Sequence, residues 1–393
     1  MKRYDFDEIV DRSCSDAMKY CGMDATFGRH DILPLWIADM DFKVCPEISH
    51  ALRQRINHPI YGYAAVSPTF YRSITEWIRC RHGFEVGEHE VSFIAGVVKG
   101  IGYAINYFTQ RGDKILIQPP VYHPFRAAIE GNGRQVVTNP LRFVDGRYEM
   151  DMEDLKHKVA TEKPKMMILC NPHNPIGIPW TKETLAQVAE ICADNGVIVV
   201  SDEIHSDLAL KGHRHTPFLS VSDKARQVGI MYGAPSKSFN IPGLVSSWCV
   251  VKNDQLRKNY FSWLTVNDFN SPTFFAMTGT EAAYAHGEEW LSEALDYIAD
   301  NIDYMIKEIP EVSGNRLKVV RPEASFLIWV DCRGMGMEHK EICDFFINRA
   351  GLGLNSGEMF GEEGSGFMRL NVATPRATLA RALRQLNEAF KEL

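Results

Sequence analysis

Residues 165–207 of the chain read KMMILCNPHNPIGIPWTKETLAQVAEICADNGVIVVSDEIHSD, in which two apolar runs flank one amphipathic pattern. The central part, TKETLAQVAEICADNG (181–196), has the 3.6-residue apolar spacing of a helix, with Thr181 as a predicted N-cap. Continuous apolar strands joined by a helix are typical of βαβ units, whose strands are parallel and buried on both faces. The stretch therefore predicts two neighbouring strands of a parallel sheet.

The same alternation of apolar runs and helical patterns extends from about residue 90 to residue 250. The other apolar runs are VSFIA (91–95), KILIQ (114–118) and GIMYGA (229–234). After about residue 285 a long helical pattern is followed by an alternation of strand and helix: EEWLSEALDYIADNIDYMIKEI (288–309), SFLIWVD (325–331), HKEICDFFINRAG (339–351), GFMRLNVA (366–373) and ATLARALRQLNEAFKEL (377–393).

These patterns predict an α/β protein in two parts. A large domain, residues 46–285, would contain a mostly parallel sheet covered by helices on both faces. A smaller α/β domain would follow at residues 286–393, and residues 1–45 would form an N-terminal segment that joins the small domain.

Composition narrows the class of protein. The 393 residues are 45% hydrophobic and 24% charged, with a net charge of −7, which is typical of a globular chain without nucleic acid or anionic membrane as its main partner. The nine cysteines include no C-x-x-C, so we expect neither a zinc site nor a disulfide framework. With no apolar leader and no membrane-spanning window, the chain is expected to be a cytoplasmic enzyme with a small-molecule substrate.

Polar residues follow each predicted strand, in AGVVKGIG (95–102), PPVYHPF (119–125), NPHNPIG (171–177), DEIHSD (202–207) and APSKSFN (234–240). Ligands of open parallel sheets bind at the carboxyl ends of the strands, so these residues are expected to converge at one edge. Taken singly, each has a plain structural explanation as a turn, a loop or a surface lysine. The glycine turn could equally receive a phosphate at a helix N-terminus.

Two other chemistries are less well supported by the residues. The acidic and histidine residues from 202 to 215 could be interpreted as a metal cluster, although the H-E-x-x-H spacing is absent; they are Asp202, Glu203, His205, His213 and His215. Ser236 could be interpreted as a hydrolase nucleophile, but no G-x-S-x-G surrounds a serine. Neither interpretation accounts for the asparagine, the aspartate and the lysine that follow successive predicted strands.

The ordered motifs NPHNPIG, SDEIH, SKSFN and FMRLNVATPR (367–376) resemble the class I/II aminotransferase superfamily, the fold-type I enzymes that use pyridoxal 5′-phosphate. LPLWIADMDF (34–43), YGY (61–63), SDEIHSDL and SKSFNIPGL resemble more narrowly its branch of MalY/PatB-type cystathionine β-lyases, or C–S lyases. The resemblance covers nearly the whole chain and keeps the order of the motifs.

The resemblance implies roles for residues around the cofactor ring. Lys237 would hold pyridoxal phosphate as a Schiff base and later act as general base at the substrate Cα. Asp202 would keep the ring nitrogen protonated, which makes the ring an electron sink. Asn174 would donate a hydrogen bond to the ring hydroxyl oxygen, and His205 would stand where many members place a tyrosine. Tyr122 would stack on the ring face.

The resemblance also implies where the phosphate lies. The backbone amides of Val97 and Val98 would receive it, and Tyr63 would reach it from the neighbouring subunit of a homodimer with shared active sites. Many aminotransferases add a serine and an arginine at the positions of Ala234 and Val245. The C–S lyase branch also lacks that arginine, and Ser236 and Tyr63 are the candidates to supply the missing donors.

Three residues are implied to bind the substrate. Arg369 would grip its α-carboxylate with a bidentate fork, although a solvent-facing arginine is the plain alternative. Tyr61, instead of Tyr63, is the alternative for the functional active-site tyrosine of this branch. Trp36 would either line the pocket or anchor the two domains.

The function implied is α,β-elimination on a sulfur amino acid, which yields pyruvate, ammonia and a thiol. An aminotransferase with an α-keto acid acceptor is the runner-up, because it uses the same lysine and cofactor. A cofactor-bound regulatory or binding protein is the alternative of another class, and no basic face or DNA-binding helix pair supports it.

Overall fold

The computed structural model describes residues 3–13 and 15–393, so Met1, Lys2 and Cys14 lie outside the described residues. The described strands, in chain order, are β1 (Leu33–Pro34), β2 (Val91–Ile94), β3 (Lys114–Ile117), β4 (Gln135–Thr138), β5 (Arg142–Val144), β6 (Arg147–Glu149), β7 (Met166–Cys170), β8 (Ile198–Asp202), β9 (Gly229–Gly233), β10 (Ser247–Val250), β11 (Lys318–Val320), β12 (Leu327–Asp331), β13 (Leu352–Gly353), β14 (Asn355–Ser356) and β15 (Phe367–Asn371).

The described α-helices, in chain order, are α1 (Met18–Cys21), α2 (Met23–Phe27), α3 (Pro46–Ile56), α4 (Phe70–His82), α5 (Val97–Phe108), α6 (Pro124–Gly131), α7 (Met152–Glu162), α8 (Lys182–Asp194), α9 (Asp223–Val228), α10 (Pro235–Ser238), α11 (Asp254–Val266), α12 (Phe274–His286), α13 (Glu288–Val312), α14 (His339–Asp344) and α15 (Arg376–Lys391). A π-helical turn, Phe345–Arg349, continues α14. Single 3₁₀ turns lie at Glu88–Glu90, Ser206–Leu208, Phe218–Ser220, Pro242–Leu244, Arg333–Met335, Gly357–Phe360 and Glu362–Gly364.

A seven-stranded sheet forms the centre of the chain, in the order β2-β10-β9-β8-β7-β3-β4. Strands β4, β3, β7, β8 and β9 are parallel to one another, and β10 runs antiparallel between β9 and β2. The predicted mostly parallel sheet is therefore confirmed. The strands β4 and β10 were not among the predicted apolar runs.

The βαβ unit predicted from residues 165–207 is present. Strand β7 pairs in parallel with β8, from Met166 opposite Ile198 to Cys170 opposite Asp202. The Thr181 hydroxyl accepts a hydrogen bond from the Thr184 amide, which caps α8 as predicted.

Both faces of the central sheet are buried, which explains why its strands are continuous apolar runs. In β7, Met167 and Leu169 pack into one hydrophobic core, while Ile168 and Cys170 pack into a second core on the opposite face. Successive side chains of a strand point to opposite faces, so a strand between two helical layers needs apolar residues at every position.

A second, antiparallel sheet of four strands follows in the order β11-β12-β15-β14. The long helix α13 precedes it and α15 follows it. Strand β1, from the N-terminal segment, pairs with β13 beside this sheet. The domain boundaries at residues 45 and 285 stay a prediction.

Each of the eight cysteines in the described residues is a free thiol. Across residues 3–13 and 15–393, no helix combines the length and apolarity needed to cross a bilayer.

Candidate active site

A cavity of about 400 Å³ opens at the carboxyl ends of the central strands. It lies where β7, β8 and β9 end and where α5 and α10 begin, so five separate segments of the chain meet around it. Eight of the predicted site residues line it: Val97, Val98, Tyr122, Asn174, Asp202, His205, Ser236 and Lys237.

Asp202 is the last residue of β8, and its side chain is 4% exposed. Its Oδ1 accepts a hydrogen bond of 3.1 Å from the Ile204 amide. Within the described residues no lysine, arginine or histidine lies within ion-pair distance of this carboxylate. Burial without such a partner raises the pKa of Asp202 to about 7. The carboxyl group is therefore suited to a cationic ring atom that enters the cavity.

Lys237 lies on the short helix α10, directly after β9. Its Nζ donates a hydrogen bond of 2.5 Å to the Ala38 carbonyl oxygen. Burial, and next the positive charge of Arg369, lower the pKa of the Lys237 amine to about 8. An amine with this pKa has a substantial neutral fraction near pH 8, as a nucleophile or a general base requires.

Arg369 lies on β15, in the second sheet, and is 4% exposed, so the alternative of a solvent-facing arginine is wrong. Its Nη1 donates to Asn174 Oδ1 at 3.0 Å, and its Nη2 donates to Asn355 Oδ1 at 2.6 Å and to the Trp36 carbonyl at 3.0 Å. The Nε is buried with no partner among the described residues. Burial lowers the pKa of Arg369 to about 10.

His205 and Tyr122 complete the walls of the cavity. Burial lowers the pKa of His205 to about 3, so its ring is neutral, and its Nδ1 has no hydrogen-bond partner in the described residues. Tyr122 is half-buried, and its amide donates to the Asn174 carbonyl at 3.1 Å. Burial raises the pKa of the Tyr122 hydroxyl, so this ring is a neutral platform.

The other end of the cavity is built from backbone. Helix α5 begins at Val97, and its first intrahelical acceptor, the Gly96 carbonyl, bonds the Gly100 amide. The amides of Val97 and Val98 belong to the first turn and have no acceptor within the helix. Gly96 has φ +106°, a conformation that side chains rarely adopt, and its amide donates to Ser247 Oγ at 2.9 Å.

These features fit the cofactor that the motifs imply. The carboxylate without a cation suits a pyridinium nitrogen, and the tyrosine suits a flat ring. The lysine suits an aldehyde, and the free amides at the start of a 12-residue helix suit a phosphate. Sequence reasoning missed Ser247, Asn355 and the Ala38 carbonyl. A backbone carbonyl has no sequence signal, and single serine and asparagine residues are common in loops.

Four predicted residues lie outside the residues that line this cavity, and of these Arg369 bonds to the lining residue Asn174. Tyr63 is wholly exposed. Tyr61 is also exposed; its ring stacks on Phe274 at 5.9 Å, and its hydroxyl donates to a backbone carbonyl. The Trp36 indole is buried and donates to the Lys19 carbonyl, so the structure brings its backbone carbonyl, rather than its ring, to Arg369.

Two of the acidic and histidine residues near β8 pair with each other, and a third pairs with Glu323. His215 Nε2 lies 2.7 Å from Glu203 Oε2, and His213 Nδ1 lies 3.3 Å from Glu323 Oε2. In the described part of the chain, no group of three or more histidine, cysteine or acidic side chains is arranged to hold a metal ion.

Comparisons with known proteins agree with this geometry. Residues 30–386 match the family described as aminotransferase class I and II. The chain is 39% identical to cystathionine beta-lyase PatB of Bacillus subtilis (strain 168), over 98% of this chain and 99% of that protein. Cystalysin from Treponema denticola, whose structure contains pyridoxal 5′-phosphate, superposes with a TM-score of 0.94 at 30% identity, over 99% of each chain. The pyridoxal-phosphate-bound C–S lyase of Staphylococcus hominis superposes with a TM-score of 0.89 at 34% identity, over 99% and 98%.

Proposed function

The chain belongs to the class I and II aminotransferase family, and from this premise we propose that it is a pyridoxal-phosphate-dependent C–S lyase. Its substrate would be a sulfur amino acid such as cystathionine or cysteine, cleaved to pyruvate, ammonia and a thiol. The observation that carries the proposal is the meeting of Asp202, Lys237 and Asn174 around one cavity, with Arg369 bonded to its wall. The relative from Bacillus subtilis is named a cystathionine beta-lyase, and that from Staphylococcus hominis a C–S lyase.

Three side chains would hold the cofactor ring, and backbone amides with one hydroxyl would hold its phosphate. Lys237 would anchor it through its amine, the Asp202 carboxylate would hold a proton on the ring nitrogen, and Tyr122 would cover one ring face. The amides of Val97 and Val98, with the Ser236 hydroxyl, would bind the phosphate. When bound, pyridoxal phosphate supplies an electron-accepting ring that stabilises negative charge at the substrate Cα.

The chain's own residues then position the substrate and move its proton. The Arg369 guanidinium binds the α-carboxylate, and its contacts with Asn174, Asn355 and Trp36 fix its plane. The neutral Lys237 amine takes the proton from Cα. The electron pair left by that proton expels the thiolate from Cβ, and the unsaturated product hydrolyses to pyruvate and ammonia.

An aminotransferase is the second candidate, because the matched family is described by that activity. It would use the same residues, with Lys237 delivering the proton to the cofactor instead of leaving the electrons to expel a thiolate. Such an enzyme needs an α-keto acid to complete each turnover.

We also propose that the enzyme is a homodimer with shared active sites. Residues 56–66 are all exposed and contain Tyr63, and Val98 and Val245 at the phosphate end are exposed as well. A second copy that covers this surface would bring its own tyrosine to the phosphate. A cytoplasmic location is proposed too, since a reducing compartment preserves free thiols such as those of the eight described cysteines.

The test is to incubate the purified, cofactor-loaded enzyme with L-cystathionine in the absence of any keto acid. Lactate dehydrogenase and NADH would follow pyruvate, and a thiol reagent would follow the released thiol. Steady pyruvate formation with equal amounts of thiol is expected. A single burst that resumes only when an α-keto acid is added would instead identify an aminotransferase.

A further inference from the structure

The acidic and apolar string WIADMDF occupies residues 36–42 and runs between the two candidate cationic groups of the site. The Trp36 carbonyl accepts from Arg369 Nη2 at 3.0 Å, and the Ala38 carbonyl accepts from Lys237 Nζ at 2.5 Å. The two carbonyls are two residues apart, in a stretch of bends between β1 and α3. Segment 36–42 therefore touches both the proposed anchor of the cofactor and the proposed carboxylate grip.

One buried asparagine holds this segment from the second sheet. Asn371 lies two residues after Arg369 on β15 and is 1% exposed. Its Nδ2 donates to the Ile37 carbonyl at 2.7 Å and to the Asp39 carbonyl at 2.6 Å. Its Oδ1 accepts from the Ala373 amide at 2.8 Å. All three of these hydrogen bonds of the Asn371 side chain are therefore with backbone groups.

A second asparagine holds the segment from the lysine-bearing element. Asn240 lies three residues after Lys237, and its Nδ2 donates to the Met40 carbonyl at 3.0 Å and to the Phe42 carbonyl at 2.9 Å. Its Oδ1 accepts from the Met40 amide at 2.9 Å. Asn240 has φ +56°, a left-handed conformation that asparagine tolerates better than most residues.

The acidic side chains of the segment are fixed as well. Asp39 and Asp41 each pair with Arg12, at 2.6 and 2.7 Å, and Asp41 also pairs with the fully buried Lys19 at 2.8 Å. These ion pairs fix the acidic side chains of the segment, and Arg12 Nη1 also donates to the Met40 carbonyl at 3.3 Å. The other contacts of the segment's carbonyls described above are with the two asparagines, Lys237 and Arg369.

We propose that Asn240 and Asn371 are positioning residues for the reaction, which together hold segment 36–42 so that its carbonyls fix the Lys237 amine and the Arg369 guanidinium in relative place. Asn371 lies two residues after Arg369, and Asn240 lies three residues after Lys237. Each asparagine is therefore close in the chain to one of the two cationic groups that the segment contacts. A shift of the segment therefore displaces the proton acceptor and the carboxylate grip together. The proposal rests on the roles proposed above for Lys237 and Arg369.

Asn240→Asp and Asn371→Asp test it, because each keeps the acceptor oxygen and removes both donor hydrogens. Asn240→Leu and Asn371→Leu remove the donors without adding a charge. Asn301→Asp is the matched control: Asn301 is also fully buried and its Nδ2 clamps two carbonyls, of Val372 and Thr374, at 2.9 Å each, but it does not touch segment 36–42.

Two readouts are measured on cofactor-loaded enzyme: kcat and KM for L-cystathionine, and hydrogen exchange of the peptide that contains residues 36–42 without substrate. Asn240→Asp, Asn371→Asp and the two leucine variants are expected to exchange faster in this peptide and to lose about 10²-fold in kcat/KM, the scale of a misplacement of about 1 Å. The Asn301→Asp variant should keep the wild-type exchange rate and the wild-type kcat/KM, even if its melting temperature falls as much as those of the Asn240 and Asn371 variants.

The outcomes separate this proposal from the proposed function. Wild-type exchange and kcat/KM in the Asn240 and Asn371 variants would overturn it, and so would equal losses in Asn301→Asp. If wild-type enzyme releases no pyruvate from cystathionine, the proposed function fails. In that case, faster exchange of residues 36–42 in the Asn240 and Asn371 variants would still support the positioning role.

Discussion

The two ends of the cavity are built in different ways. At the ring end, Asp202, Asn174 and His205 are buried side chains at strand ends, and burial moves the pKa values of the two that titrate far from their usual range. At the phosphate end, the donors are backbone amides at the start of α5, and the neighbouring Val98 and Val245 are exposed. The ring end is complete within one chain, whereas the phosphate end has an open surface. The chemical step should therefore depend on single side chains, and phosphate affinity on many weak contacts.

The largest effect is expected at the ring end, from Lys237→Ala. This change removes both the covalent anchor and the general base, so pyruvate formation should fall by about 10⁴-fold or more, and the visible absorption of the bound cofactor should disappear. Lys99→Ala, which removes another lysine of the same cavity, should keep the visible band. Retention of full turnover by Lys237→Ala would refute the assignment.

A smaller loss is expected from Asp202→Ala, because the cofactor stays bound weakly while the ring nitrogen loses its partner. The rate of Cα–H exchange with solvent deuterium, measured by NMR, should fall by about 10²- to 10³-fold. Glu203→Gln is the control, since the Glu203 carboxylate bonds His215 and Ser201 away from the cavity. Equal losses in both variants would show that the effect is general damage to the strand end.

The lowered pKa of Lys237 predicts the pH dependence of cofactor uptake by cofactor-free protein. Only the neutral amine is nucleophilic, and the pKa of about 8 means that its neutral fraction rises about tenfold from pH 7 to pH 9. The rate of uptake, followed by stopped-flow absorbance, should rise with the same midpoint. A midpoint near 10.5, the ordinary value for lysine, would contradict the effect of burial.

At the phosphate end, Tyr63→Phe should weaken pyridoxal phosphate binding roughly tenfold to 100-fold, the scale of one hydrogen bond to a charged group. Equilibrium dialysis would measure this, with Tyr61→Phe as the control, because the Tyr61 hydroxyl already donates within its own chain. If Tyr61→Phe weakens binding and Tyr63→Phe does not, the roles of the two tyrosines are exchanged.

The smallest effect is expected from Val245→Asn. Val245 has φ +53°, a left-handed conformation that costs a β-branched residue about 1–2 kcal/mol. Asparagine tolerates this conformation, so the variant should gain about 1 kcal/mol in the free energy of unfolding, as measured by denaturant titration. A loss of stability would show that the packing of the valine outweighs its backbone strain.

Much of the fold follows from local pattern. The strands β2, β3, β7, β8 and β9 were predictable because each is an apolar run between two helical layers. Strands β4 and β10 were not predicted: β4 (QVVT) has only two consecutive apolar residues, and the apolar run of β10 (SWCV) was overlooked. The antiparallel pairing of β10 is consistent with a sheet that was predicted to be mostly parallel.

Much of the site follows from the same pattern, but not its internal contacts. Asp202, Asn174 and Lys237 come directly after apolar runs, so their convergence at one sheet edge could be predicted from topology. The contact of Arg369 with Asn174 joins residues 195 positions apart, one on β15 and the other in the loop after β7, and no local signal encodes it.

The sequence alone therefore determined the α/β class and which residue types stand at the strand ends, and the resemblance of its ordered motifs to a known family implied the cofactor. It did so because strand periodicity and motif order are local properties of the chain. The tertiary structure alone decided which of these groups touch, how far burial moves the pKa values of Asp202 and Lys237, and that carbonyls of residues 36–42 bond Lys237 and Arg369. Those properties depend on desolvation and on backbone groups from distant segments, which carry no signal in the order of side chains.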